Sequence, residues 1–295
     1  MGTEHRPSAT HLRRLVWIVV AVFLFMIVEA VTGVLTGSLA LLSEAGHMLT
    51  DLIGLSMALA AILAARRTGS VRNTFGLYRI EILAALANAV LLFGVAVYVI
   101  VESLGRLRDP EPIAVGPVLI VAVIGLVINI VAWRLLHDGA GTSLNLEGAY
   151  LEVLADLIGS VGVILAALVV HFTGWLQADP GVALVIALYI IPRAVSLGRK
   201  AVRILLQSAP DGVDVAAVQA DLEALDGVAA VHDIHLWTLT SQMHVGSAHL
   251  VVDPDADSHG VLDRARNVLI ERHQIDHATL QIEPDDHRNC EETIW

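Results

Sequence analysis

Two charged four-residue steps interrupt long apolar stretches of this chain: His47 with Asp51, and Glu152 with Asp156. An ionisable side chain at the centre of a membrane helix costs roughly 2.5–3.5 kcal/mol on insertion scales, so it marks a functional site by default. A helix turns once in about 3.6 residues, so partners four apart share one face. Two such pairs on two helices assemble one imidazole and three carboxylates, a set that can bind and release a divalent cation. Nitrogen and carboxylate ligands suit a borderline ion such as Zn2+, which usually takes four of them. With His47 neutral, the three carboxylates sum to −3, a charge that a low-dielectric setting holds only with a cation or protons present. Metal and protons therefore compete, and proton-coupled metal transport is the expected activity.

Composition supports a membrane setting for these pairs. Hydrophobic residues make up 56% of the 295 and charged residues 16%, against about 25% charged in soluble domains. Hydropathy windows give six spans, near Leu15–Leu35, Ala40–Ala65, Ile80–Val101, Ile113–Leu136, Ala149–Val170 and Leu176–Leu197. No cleavable signal peptide is expected, because the first span is long and continues through Glu29 where a small-residue cleavage site would fall. Arg6, Arg13 and Arg14 precede the first span, and Arg66, Arg67, Arg72 and Arg79 fill the connection after the second. Arg134 ends the fourth, and Arg193, Arg199, Lys200 and Arg203 are read as following the sixth. The other side has Arg106 and Arg108 beside Asp109 and Glu111. The positive-inside rule then puts both termini in the cytoplasm, and a multi-pass protein of the plasma membrane is expected.

Pro210, Asp211 and Gly212 break the helical pattern after the sixth span. The expected organisation is a cytoplasmic segment 1–14, a six-helix membrane domain 15–207 and a cytoplasmic α+β domain 208–295. A helix begins at Asp214 and ends by Gly227; Val228–Leu239 and His244–Val252 read as strands around a Ser241–Gln242 turn. Asp257 and Ser258 cap a second helix, and Ala278–Glu283 is a third strand, with Leu280 and Ile282 inward and Thr279, Gln281 and Glu283 outward. The order αββαβ implies a small open sheet with helices on one face, whose edge suits pairing with a second copy. The net charge of −12 resides mostly in this tail, which lacks a long basic run and gives nucleic-acid binding little support. One cysteine, Cys290, excludes an internal disulfide framework and a Cys-rich zinc ribbon.

The membrane part repeats itself: His47-Met-Leu-Thr-Asp51-Leu-Ile-Gly aligns with Glu152-Val-Leu-Ala-Asp156-Leu-Ile-Gly. Repeated Gly-interrupted segments point to a transporter binding site at mid-membrane. Gly46, Gly54, Gly148, Gly159 and Gly162 are expected to let the two helices approach closely. Glu29, Asn88 and Asn129 are expected to form interhelical hydrogen bonds, and Glu44 to stand behind the ligands rather than among them.

At these residues the chain resembles the cation diffusion facilitator family of Zn2+/H+ antiporters. The similar strings are Gly37-Ser-Leu-Ala-Leu-Leu-Ser-Glu-Ala-Gly-His47-Met-Leu-Thr-Asp51, Phe75-Gly-Leu-Tyr-Arg-Ile-Glu81, the segment Asn145–Gly162, and Val231-His-Asp-Ile-His235-Leu-Trp in the tail. The resemblance implies a homodimer of six-helix protomers, a transport site between the second and fifth helices, and a metallochaperone-like tail. It also implies a cytoplasmic metal site at His232, His249, His259 and Glu283. Neighbouring strands and a helix start can converge on one such patch, whereas His235, His273 and His277 read as surface residues.

The chain departs from the family pattern at Glu152, where zinc members usually have a second His. A carboxylate is harder and carries charge, which favours Mn2+, Fe2+, Co2+ or Cd2+ as alternatives to Zn2+ or changes the proton count. The loop Arg66–Arg79 lacks metal-ligand residues, and the segment between the fourth and fifth spans has only His137. A metal-dependent membrane enzyme is the rival class, but no His-Glu-x-x-His string or Gly-rich phosphate loop occurs. A non-transporting metal sensor is the third. No prosthetic group is expected; the metal is cargo and possible regulator, H+ the coupling ion, and the lipid bilayer the other partner.

Overall fold

The structure is a computed structural model describing residues 9–64, 74–75, 78–137, 144–240 and 243–284. The Ser241–Gln242 turn, most of the loop after the second helix, residues 138–143 and the end of the tail with Cys290 lie outside the described residues.

Six long helices come first: α1 Ala9–Thr36, α2 Leu39–Ala64, α3 Tyr78–Arg108, α4 Val115–His137, α5 Leu144–Thr173 and α6 Ala178–Leu205. The shortest, α4, has 23 residues, about 35 Å at 1.5 Å per residue and longer than a hydrocarbon core of about 30 Å. Among the described residues α1, α3, α5 and α6 contain runs long and apolar enough to cross a membrane, and α4 contributes a shorter one, Val115–Val131. Helices outrun the hydropathy spans because backbone pairing continues where charged side chains can reach the headgroups: α3 runs past Val101 to Arg108, and α6 past Leu197 to Leu205. Leu41, Leu92, Val99, Val118 and Val163 are packed inside the bundle, while Leu91, Val101 and Leu165 face outward, the sorting a lipid solvent permits. Gly37, at φ +73°, makes the reversal between α1 and α2 and gives its carbonyl to Arg106 Nη1 at 2.5 Å.

The described residues up to 64 and from 85 to 198 form one compact unit; those from 74 to 84 and from 199 to 284 form a second. The second unit holds α7 Val215–Glu223, β1 Val228–Thr240, β2 Met243–Val252, α8 Ser258–His273 and β3 His277–Pro284, the αββαβ order the sequence implies. Asp214 and Asp257 cap α7 and α8 by accepting the amides of Ala216 and His259. β2 lies in the middle, antiparallel to β1 and parallel to β3. Val218 and Leu222 of α7 and Val261, Ala265 and Leu269 of α8 pack on Val231, Ala248, Leu250 and Val252 of the sheet. The first turns of α3 belong to this unit too, where Thr240 Oγ1 donates to Glu81 Oε2 at 2.6 Å.

Candidate metal centres

The start of α2 is fixed from a distance in sequence. Ser38 Oγ donates to Asp179 Oδ1 at 2.5 Å, and Asp179 Oδ2 accepts from the amides of Leu39 and Ala40 at 2.7 and 3.3 Å. Those amides are among the first of α2 and have no partner inside the helix, so the carboxylate of α6 serves as its cap. Ser43 Oγ donates to Ala183 O one turn further along each helix. Together these contacts set α2 against α6 and hold the turn that follows, which carries His47.

His47 is buried and reaches across to α5, its Nε2 lying 3.3 Å from Asp156 Oδ1. Just along the same helices, Ser160 Oγ donates to Glu44 Oε1 at 3.3 Å and stands 3.3 Å from Asn129 Nδ2 of α4. Residues after Asp156 thus meet residues before His47, so α2 and α5 run antiparallel. That order places Asp51, one turn after His47, at the level of Glu152, one turn before Asp156. The side chains of Asp51 and Glu152 lie outside the described residues; in the backbone each stands one helical turn from a residue of the His47–Asp156 contact.

Two sequence expectations about this region need correcting. Gly159 does allow close approach, since a Cβ there would strike Glu44 Oε2, but Gly46 faces Val95 of α3 and Gly162 faces Val182 of α6. Small residues permit contact with whichever helix is adjacent; their presence does not name it. Asn129 bonds between helices as expected, whereas Glu29 Oε2 and both amide atoms of the buried Asn88 have no hydrogen-bond partner among the described residues. Glu29 lies against Gly125, which offers no side-chain donor.

A cavity of about 620 Å3 runs from His47 and Glu44 past Gly159 and Tyr189 to Trp175 and Gln177 at the α5–α6 turn. Tyr189 of α6 stands beside His47, ring centres 6.1 Å apart. Arg193, one turn further along α6, places Nη1 3.4 Å from His47 Nε2 and its guanidinium 5.8 Å from the Tyr189 ring centre. Arg193, expected to follow the sixth span, lies well inside α6, which continues to Leu205. The signal available was its place inside the apolar span, one helical turn after a Tyr.

In the second unit, His232 of β1 is paired directly with His249 of β2, ring centres 5.1 Å apart. Ala248 and Leu250 point to the helices, so His249 between them points the other way, as does Glu283 beside the inward Ile282. Glu283 is 2% exposed. Its Oε2 is 3.0 Å from His232 Nε2, and its Oε1 is 2.9 Å from His249 Nδ1, the latter without the alignment of a hydrogen bond. Ligand atoms of His232, His249 and Glu283 all lie within 4.8 Å of one another. Asp233, at φ +52° in a bulge of β1, brings Oδ2 to 3.7 Å from His249 Nε2. Asp233 is not among the ligands that the resemblance implies. His259 is not part of this group: it is 86% exposed on the first turn of α8, 3.9 Å from Asp263. Its amide donates to Asp257 Oδ1 at 3.2 Å, and its ring lies by Asp263 one turn further along the helix.

A multi-helix membrane unit with an imidazole–carboxylate centre between two helices, joined to a small αββαβ domain with its own metal-type centre, is the architecture of a multi-pass carrier for cations. The chain belongs to the cation efflux family, the cation diffusion facilitators: the family's transmembrane domain matches residues 15–206, and its cytoplasmic domain matches residues 210–285. It is therefore a transporter and not an enzyme. It is similar to the metal cation efflux system protein CzcD of Cupriavidus metallidurans, with 45% identity over 88% of this chain and 82% of the relative. The zinc transporter ZitB of Escherichia coli is 39% identical over 97% of this chain and 94% of its own. The cadmium, cobalt and zinc/H(+)-K(+) antiporter of Bacillus subtilis is 37% identical over 98% of this chain and 94% of its own. A solved metal-bound C-terminal domain of the C. metallidurans CzcD transporter is 35% identical over 24% of this chain and 99% of its own, with a TM-score of 0.23.

Proposed function

We propose that the protein exports Zn2+ from the cytoplasm in exchange for protons, with His47, Asp51, Glu152 and Asp156 as the transport ligands. The observation that carries this reading is the buried approach of His47 Nε2 to Asp156 Oδ1 across two antiparallel helices. Cd2+ and Co2+ are the nearest alternatives, being named with zinc for the Bacillus relative; Mn2+ and Fe2+ follow from the harder Glu152. Metal binds to deprotonated ligands, so protons arriving from outside release it. The cavity reaching the α5–α6 turn supports access from that end.

With both termini cytoplasmic, residues 208–295 form a cytosolic domain, and the plasma membrane is the site of export. His232, His249 and Glu283 bind metal there, and the domain pairs two copies of the chain. Metal on the tail biases the carrier only if it binds one conformation better than the other. The test is metal uptake into everted vesicles driven by a pH gradient. Uptake is expected in the native protein and absent in Asp51→Ala and Asp156→Ala; uptake that survives in both rules the site out.

A further inference from the structure

Arg193 is the one cation seen to touch the transport centre among the described residues. Arginine carries five N–H donors and no acceptor, and it stays protonated in proteins. Its 3.4 Å contact with His47 Nε2 is a hydrogen bond only when that nitrogen is unprotonated and offers its lone pair. The same lone pair is the one a metal would take, and Asp156 Oδ1 lies 3.3 Å from the same atom. The guanidinium is held from a second side by the face of Tyr189, a cation–π arrangement between residues four apart on α6. Arg199, Lys200 and Arg203 lie further along α6, Arg203 paired with Asp211 at 2.7 Å. The turn of the helix that carries Arg193 instead directs it onto His47.

We propose that Arg193 is a tethered counter-cation of the transport site: its guanidinium stands at the His47 Nε2 lone pair beside Asp156, and a metal taking that lone pair has to displace it. The inference rests on His47 and Asp156 being transport ligands. Once protons have replaced the metal, any carboxylate that stays ionised is costly to move through a low-dielectric barrel, and a resident positive charge reduces that cost. The same charge weakens metal binding, because the apparent affinity is reduced by the fraction of carriers whose site is free. Arg193 therefore trades affinity for return of the proton-loaded carrier.

The experiment uses full-length protein, with Zn2+ affinity measured in detergent and two flux modes measured in proteoliposomes. Net efflux requires the metal-free, proton-loaded carrier to return; exchange of radiolabelled for unlabelled Zn2+ does not. R193Q is expected to bind Zn2+ about tenfold more tightly or better, to lose most net flux and to keep exchange. R193K, which retains the charge, is expected to stay within about threefold of the native affinity, on the same competition argument. Unchanged or weaker binding in R193Q, or exchange falling in step with net flux, overturns the proposal; so does R193K behaving like R193Q. Asp156→Ala separates the two readings. If, with the tail centre removed by Glu283→Ala, it still binds Zn2+, the site assignment fails; if it loses binding there while R193Q in the same background does not tighten, only the counter-cation fails. A readout on unmodified protein guards against a variant that does not fold. Zn2+ is expected to increase modification of Arg193 by phenylglyoxal, read by mass spectrometry against Arg203, and a decrease or no change counts against displacement.

Discussion

Ser38 and Asp179 are 141 residues apart in sequence and joined by a 2.5 Å hydrogen bond, with the carboxylate also capping the first amides of α2. One buried side chain of α6 thereby sets the starting point of the helix that carries His47 and Asp51. Asp179→Ala leaves Ser38 and two helix amides without this acceptor, at a cost of about 1–3 kcal/mol. A melting temperature lower by a few degrees is expected in detergent, with a smaller fall for Asp179→Asn, which keeps one acceptor oxygen. An unchanged melting curve for Asp179→Ala means the cap does not hold α2.

Glu152 is where the ligand set departs from two histidines. Replacing it with His removes one negative charge and substitutes a softer donor. Glu152→His is expected to raise the ratio of Zn2+ to Mn2+ transport severalfold and to reduce the protons released when metal binds. Parallel flux assays with each ion, alongside proton release in weak buffer, check both. If the ratio stays put, the metal preference is decided elsewhere.

One contact of the candidate transport site was legible because helical periodicity is a local property: spacing of four groups His47 with Asp51 and Glu152 with Asp156, and the structure brings His47 to Asp156. The tail sheet was legible for the same reason, since alternation around Ile282 already puts Glu283 on the face opposite the helices. What spacing cannot give is which neighbour a face meets. Gly46 turned to α3 and not α5, and Asp179 found its partners at the far end of α2. His259 begins the helix that packs on the sheet, yet its exposed ring lies outside the group formed by His232, His249 and Glu283. Arg193 was hidden by its own chemistry, because an arginine near the end of a span is ordinarily an anchor and only the packing of α6 on α2 shows it facing His47.

The cytoplasmic centre is expected to bind one metal ion through three described ligands. In an Asp156→Ala background, which silences the transport site, Glu283→Ala should abolish the remaining Zn2+ binding seen by titration calorimetry of full-length protein. His259→Ala should leave it intact, because that ring is exposed and stands apart from Glu283. Equal losses in the two variants would place His259 in the site.

Gly159 makes the sharpest steric prediction. A methyl group at this position would collide with Glu44 Oε2, and Glu44 is buried, with its other oxygen engaged by Ser160. Either the carboxylate moves, breaking the Ser160 bond, or α5 is displaced from α2. Both outcomes alter the His47–Asp156 separation, and a shift of about 1 Å in a functional site is enough to cost much of its activity. Gly159→Ala is therefore expected to lower Zn2+ transport by roughly tenfold while the protein still folds, because the clash falls on a flexible side chain, at a cost of about 1–3 kcal/mol. Shortening the partner tests the mechanism: Glu44→Asp withdraws the carboxylate by about one methylene and should restore part of the flux when combined with Gly159→Ala. The double mutant should then exceed the product of the two single effects, the signature of residues in contact. Strictly multiplicative losses would show that Gly159 acts through something other than Glu44.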